Sequence, residues 1–165
     1  MRVNVSDIIK TEGEGIDIEF NGDLPELQKF DTSVEFIPSF KFSGRIVNLG
    51  GLLKLSGDLH FEYSASCLRC LKLVDMTADI EVEESFVEIS KSDDVDAYTF
   101  EGNVVDIDKP LMDNIILALP MKVICSEDCK GLCEKCGTNL NIKNCNCDER
   151  EIVDPRMEIL KDYFK

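Results

Sequence analysis

Length, charge and hydropathy limit what this chain can be. Its 165 residues suit one domain of ordinary size with an appendage. It carries 18 basic and 33 acidic residues, a net charge of −15, so its average surface repels phosphate backbones and attracts basic partners. No apolar stretch has the length of a signal peptide or a membrane span. We therefore expect a cytoplasmic protein without a membrane partner.

Alternating apolar and polar residues predict three long antiparallel strands in a meander. They span residues 34–47, 53–67 and 74–87. Gly50 and Gly51 supply the positive φ angles for the first reversal. Pro38 has no N–H to donate, so the first strand should lie at an edge or contain a bulge. Three shorter strands are expected at residues 2–5, 16–20 and 104–107.

Two helices and one loop complete the prediction. Asp108 should cap a helix that contains Pro110 near its start and ends at Pro120, and its apolar stripe should cover the sheet. A short terminal helix should follow Asp154-Pro155-Arg156 by the same logic. Residues 90–96, rich in serine and aspartate, read as an exposed loop.

The predicted fold class is α+β. A mainly antiparallel β-sheet, built on the long meander, is covered by one or two helices and carries a small C-terminal zinc-binding lobe. Residues 1–121 should form the β-rich core with its covering helix, and residues 122–165 the cysteine-rich zinc lobe with the terminal helix. Residues 67–110 are the acidic pole, with a net charge of −8.

The cysteines predict zinc. Eight cysteines without an export signal favour metal ligands over disulfides. The segment from Cys125 to Val153 has too few apolar residues to fold alone, whereas structural zinc supplies about 10 to 16 kcal/mol to small modules. An iron–sulfur cluster would use the same ligand type. The first predicted site consists of Cys133, Cys136, Cys145 and Cys147.

The second predicted site combines the CxxC pair at the tip of the long hairpin with two cysteines after the helix. Three alternatives remain open: the hairpin pair could be a thioredoxin-type redox motif, and the later pair could be structural thiols or exchange ligands with the first site. His60 lies on the polar face of its strand and reads as a surface residue. No catalytic set is evident, and four thiolates leave zinc no open position for a small-molecule substrate. The second site's members are Cys67, Cys70, Cys125 and Cys129.

Five motifs together resemble the YceD-like family, the large ribosomal RNA subunit accumulation proteins. The resemblance covers roughly residues 40 to 165 and implies a non-enzymatic role in accumulation of large-subunit (23S) ribosomal RNA during ribosome assembly. Family members without the later cysteine cluster exist, which implies that this cluster stabilises a lobe. The motifs are Ser66–Leu71, Leu117–Pro120, Cys129–Cys133, Cys136–Asn141 and Asp154–Arg156 followed by Leu160.

Three functions follow as hypotheses. The acidic sheet face could bind a basic ribosomal protein or a large-subunit assembly intermediate, with ribosomal RNA as an indirect partner. The second hypothesis is direct RNA binding by the zinc lobe through five basic residues, Lys130, Lys135, Lys143, Arg150 and Arg156. The third is a thiol oxidoreductase that uses Cys67 and Cys70.

Overall fold

The structure is a computed structural model, and it describes residues 1–24, 26–30, 34–91 and 96–147. The predicted terminal helix after Asp154 therefore lies outside the described residues, as does most of the predicted loop. In chain order the elements are β1 (Arg2–Asn4), β2 (Gly15–Gly22), α1 (Leu27–Phe30), β3 (Val34–Asn48), β4 (Leu52–Ser66), β5 (Leu73–Glu88), a 3₁₀ turn (Ile89–Lys91), β6 (Tyr98–Phe100), β7 (Val104–Asp106) and α2 (Asp108–Ala118).

The long meander is confirmed. β3 pairs with β4, and β4 with β5, antiparallel over almost their whole lengths. Gly50 and Gly51 have φ angles of +74° and +101°, and the Leu49 N–H donates to the Leu52 carbonyl at 2.7 Å. Such a two-residue loop fits the right-handed twist of the strands that it joins. The alternating pattern thus places one face of each strand on the core and the other in water.

The sheet is mixed, because β6 adds to it in parallel. Its order is β2-β3-β4-β5-β6, and only three residue pairs join β5 to β6. A separate two-stranded sheet pairs β1 with β7. Pro38 lies where the β3–β4 register shifts between Ile37 and Lys41, and β2 pairs with β3 only from Phe40 onward. The missing N–H of the proline thus falls in an irregular stretch, as predicted.

The core lies between the inner face of the sheet and α2, which packs against β5. Leu111 and Ile115 bring the helix into the core, as the apolar stripe predicts. Gly44 and Gly57 face each other across β3 and β4, and a Cβ atom on Gly57 would lie 2.5 Å from the Gly44 Cα. The two glycines are thus required by the close approach of the backbones. No helix in the described ranges is long and apolar enough to cross a membrane.

The predicted cap of α2 is wrong. Asp108 is the first helical residue, and the capping position is held by Ile107, which has no side-chain cap. Ile107 is fully buried, so the core takes the position that a polar cap would occupy. The Asp106 carboxylate accepts the Asp108 N–H at 3.1 Å and thereby satisfies one of the free N–H groups of the first turn.

Asn48 fixes the N-terminal segment to the sheet. Its side chain is 3% exposed. Its Nδ2 donates to carbonyls within residues 8–11 at 2.8 to 3.3 Å, and its Oδ1 accepts the Gly51 N–H at 2.8 Å. We expect Asn48→Ala to lower the free energy of unfolding by about 2 to 4 kcal/mol, because one buried and three partly buried main-chain groups lose their partner. Urea unfolding measures this, with exposed Asn21→Ala as the control. Equal midpoints for the two variants would contradict the prediction.

Candidate metal centres

The eight thiols form two groups of four, and the four Sγ atoms of each group lie within 4.8 Å of one another. The groups coincide with the two predicted sets. Ideal tetrahedral zinc–thiolate sites place their sulfur atoms about 3.8 Å apart, from a bond length of about 2.3 Å. Each group therefore could hold a metal ion. The hairpin cluster is Cys67, Cys70, Cys125 and Cys129, and the lobe cluster is Cys133, Cys136, Cys145 and Cys147.

The β4–β5 hairpin tip supplies half of the hairpin cluster. The Cys67 N–H donates to the Lys72 carbonyl at 2.8 Å, and the Leu71 N–H to the Cys67 carbonyl at 2.9 Å. Leu71 has a φ angle of +58°. This left-handed backbone conformation is unfavourable for any residue that carries a Cβ atom. The tight turn brings the Cys67 and Cys70 thiols into the same cluster, and both side chains are buried.

The segment after α2 supplies the other half. The Cys70 and Cys125 Sγ atoms are 3.6 Å apart, and those of Cys67 and Cys129 are 4.0 Å apart. These cysteines lie 55 and 62 positions apart in the chain. A metal ion here would therefore join the sheet to the cysteine-rich segment, not merely close a local loop.

Main-chain hydrogen bonds hold the same two segments together. The Leu68 N–H donates to the Val123 carbonyl at 2.9 Å, and the Leu132 N–H to the Arg69 carbonyl at 3.0 Å. The Arg69 guanidinium donates to the Cys129 carbonyl at 3.1 Å. At Gly131 the φ angle is +74°, and a Cβ atom would lie only 3.0 Å from the Arg69 carbonyl oxygen. Glycine is thus required where the lobe meets the hairpin.

The lobe cluster is built locally. The Cys133 N–H donates to the Thr138 carbonyl and the Gly137 N–H to the Cys133 carbonyl, both at 2.8 Å. Gly137 has a φ angle of +69°, as its position just past the second ligand predicts. An isolated bridge pairs Leu132 with Asn139. This turn presents two thiols of the lobe cluster from one side.

Backbone N–H groups favour the thiolate form in the hairpin cluster. Burial opposes ionisation of Cys67, yet three main-chain N–H groups lower its pKa to about 6. Burial likewise opposes ionisation of Cys129, but the Gly131 N–H and the Asn141 amide lower its pKa. Hydrogen bonding to Cys129 raises the pKa of Cys125 to about 12. The thiolate form of Cys67 and of Cys129 is thus favoured, whereas the Cys125 thiol stays protonated unless a nearby cation stabilises its thiolate.

The lobe cluster has the same pattern. The N–H groups of Cys136 and Lys135 lower the pKa of Cys133. The Thr138 hydroxyl, 3.1 Å from the Cys136 Sγ, lowers the pKa of Cys136 to about 6. Hydrogen bonding to Cys136 raises the pKa of Cys147 to about 12. Both clusters offer only sulfur donors, which suit zinc or an iron–sulfur cluster.

Sequence reasoning missed the bracing role of Asn141. Its Nδ2 donates to the Cys129 Sγ at 3.4 Å, and its Oδ1 accepts the Lys130 N–H at 2.8 Å. It therefore links the lobe to a thiol of the hairpin cluster, as outer groups commonly orient metal ligands. The sequence carries a signal for this residue, because Asn141 closes the Cys136–Asn141 motif. His60 belongs to neither cluster, and its Nδ1 lies 2.7 Å from an Asp79 carboxylate oxygen on the sheet face.

The outer face of the sheet is the second candidate surface. Rows of polar residues run across β2, β3, β4 and β5, and they include Glu19 opposite Ser43 and Asp58 opposite Glu81. Nearby acidic residues have partners: Arg45 lies 3.3 Å from Asp17, for example. Among the described residues, none pairs with the carboxylates of Glu19, Asp58 or Glu81 by hydrogen bond or ion pair. These three carboxylates line an open groove of about 570 Å³.

The chain is similar over part of its length to several known proteins. It is 43% identical over 51 residues to the Arabidopsis thaliana protein named Large ribosomal RNA subunit accumulation protein YCED homolog 1, chloroplastic, covering 31% of this chain and 16% of that protein. The maize protein of the same name is 39% identical over 62 residues, covering 37% and 20%. An uncharacterised Mycobacterium leprae protein is 26% identical over 106 residues, covering 61% and 48%.

These matches span about half or less of the relatives' own lengths. No solved structure shows a significant match to the chain. The family model for the large ribosomal RNA subunit accumulation protein YceD matches residues 55–163. That match includes all eight cysteines and about two thirds of the chain, and the chain therefore belongs to the YceD family.

Proposed function

We propose that this protein is a non-enzymatic ribosome biogenesis factor that supports accumulation of large-subunit (23S) ribosomal RNA in the cytoplasm. Its acidic sheet face binds a basic ribosomal protein or a large-subunit assembly intermediate, and ribosomal RNA is reached through that partner. In this proposal residues 1–121 are the binding core and residues 122–165 the zinc lobe. Family membership supports the link to ribosomal RNA accumulation.

The observation that carries the proposed partner is the arrangement of unpaired carboxylates on the sheet. Asp58 and Glu81 lie directly opposite each other on β4 and β5, and like charges in that position destabilise a sheet. A partner that brings lysine or arginine side chains would relieve this repulsion. Basic ribosomal proteins have that chemistry, whereas bare RNA would add more negative charge.

The metal has a structural role in this proposal. Zinc bound by either cluster would have four thiolate ligands and no open position for a substrate. Cys67 and Cys70, the proposed redox pair of the third hypothesis, are buried and lie between antiparallel strands. A thioredoxin-type pair needs partial exposure to reach a partner disulfide. Burial therefore favours a structural site over an oxidoreductase.

The test is binding to purified large-subunit ribosomal proteins. We expect the chain to retain at least one of them at low salt and to release it at about 0.5 M salt, where exposed charges are screened. The double variant Asp58→Asn/Glu81→Gln should weaken retention about tenfold or more. The matched control, Glu12→Gln/Glu101→Gln, removes two exposed carboxylates outside the sheet's outer face and should bind like the wild type. Failure of the wild type to retain any ribosomal component would refute the proposal.

Direct RNA binding by the lobe is the second candidate. Lys130 and Lys143 are exposed in the structure, and Lys143 lines a groove of about 370 Å³ beside the lobe cluster. Against it, two zinc ions held by eight thiolates would leave four more negative charges on the chain. Retention of naked ribosomal RNA without any protein would favour this second candidate.

A further inference from the structure

One edge of the sheet is open along most of β5. β4 pairs with β5 over residues 73–87, whereas on the other side β6 pairs only with Phe86–Glu88. Within the described ranges, no strand pairs with the outer edge of residues 73–85. Proteins usually protect long edges of this kind, because free N–H and C=O groups bind other extended chains.

The register shows which groups the edge presents. The Cys67 N–H donates to the Lys72 carbonyl, so the main-chain groups of these two residues point toward each other, from one strand of the hairpin to the other. Main-chain direction alternates along a strand, and Leu73 is the next residue, opposite Ser66. Odd-numbered residues of β5 therefore direct their N–H and C=O groups toward the open edge, and even-numbered residues direct theirs to β4.

Side chains along this edge also alternate. Asp75, Asp79, Glu81 and Glu83 are exposed on the outer face, with exposed Thr77 among them. The intervening side chains on the inner face pack against the core but are only half-buried. A strand added here would thus meet carboxylates on one face and incompletely covered apolar groups on the other. The half-buried residues are Val74, Met76, Ala78 and Ile80.

We propose that the β5 edge binds an extended segment of a basic protein as an additional strand. In that segment lysine or arginine residues alternate with apolar residues, so that the basic side chains meet the β5 carboxylates and the apolar ones extend the core. The inference rests on the proposed function for its basic partner, and it adds the binding mode. A second copy of this chain does not fit, because two β5 edges would bring their carboxylates together.

The probe is a capped decapeptide of alternating lysine and valine. Its control is the same peptide with a methyl group on the backbone nitrogen of every lysine, which blocks strand pairing and keeps the charge and the side chains. In an antiparallel match these lysines face the β5 carboxylates and direct their N–H groups to β5. We expect the unmodified peptide to bind at least about tenfold more tightly by fluorescence anisotropy.

Variants at one position test the same edge from the protein side. Thr77→Pro removes one edge-directed N–H and leaves the ladder to β4 complete, and it should abolish the preference for the unmodified peptide. Thr77→Ala keeps the N–H and should bind like the wild type. Urea unfolding checks that both variants fold. If the proline variant does not fold, the comparison of the unmodified and methylated peptides on the wild-type protein still tests the proposal.

Hydrogen exchange gives the decisive pattern. Peptide binding should protect the amides of Asp75, Thr77, Asp79 and Glu81, whereas those of Met76 and Ala78 are protected beforehand by β4. Odd-position amides that are already protected in the free protein, or unchanged on binding, would overturn strand addition. Retention of ribosomal proteins by Thr77→Pro at wild-type strength would also overturn it and leave the proposed function standing. Loss of all retention in the wild type would instead remove the proposed function.

Discussion

Removal of metal by a strong chelator is expected to unfold residues 130–147 while the five-stranded sheet remains folded. Few apolar side chains in this segment are buried, so we expect its order to depend on metal binding at the lobe cluster. Structural zinc supplies about 10 to 16 kcal/mol in comparable modules. Hydrogen exchange with mass spectrometry should show near-complete loss of protection there. Segments from β4, whose apolar face is buried, serve as the internal control.

Readdition of zinc should restore protection in the lobe, and Cys145→Ser should prevent the restoration because it removes one ligand. Unchanged protection of residues 130–147 after chelation would show that zinc does not fold the lobe. Such a result would leave the sheet and the proposed binding face unaffected, since neither contains a residue of the lobe cluster.

Cys70→Ser is expected to release the segment after α2 from the hairpin tip. The variant removes one thiol of the hairpin cluster and should lower the zinc count by native mass spectrometry from two to one. Hydrogen exchange at the Leu68 and Leu132 amides should rise at least about tenfold, because their acceptors lie on the opposite segment. The sheet should stay folded, since β4 and β5 bury a continuous apolar face.

The matched control is Cys136→Ser, which removes a thiol of the lobe cluster. It should also bind one zinc ion, but Leu68 should remain protected. If both variants lose protection at Leu68 equally, the two clusters do not act as separate sites. The same comparison tests the domain boundary, because the segment that holds Cys125 and Cys129 belongs to the predicted lobe and yet contacts the hairpin.

The strongest predictions came from patterns with a fixed geometric period. Strict alternation predicted β4 to within one residue of its bounds, Leu52–Ser66. The pattern is reliable because a one-residue shift in register would expose the whole apolar face of the strand to water. The two groups of four thiols coincide with the predicted sets, but spacing alone left open an exchange of Cys125 and Cys129 with the first site, and the fold decides between these arrangements.

Short elements and side-chain braces were harder to predict. β6 has three residues and owes its place to parallel pairing with β5, a contact that its own sequence does not encode. The cap of α2 failed because tertiary burial of Ile107 outweighed local capping preference. The open edge of β5 could not be foreseen either, because it depends on which strands end early.

The two clusters differ in the length of chain that each one closes, and this sets an order of assembly. The cysteines of the lobe cluster lie within residues 133–147, whereas Cys70 and Cys125 are separated by 55 positions. Closing a longer loop costs more entropy, and distant contacts form more slowly. During folding the lobe would therefore acquire its ion first, and the hairpin cluster would fill only after the meander and α2 had formed. A chain with one zinc ion would then be a folding intermediate whose lobe is ordered but not yet attached to the sheet.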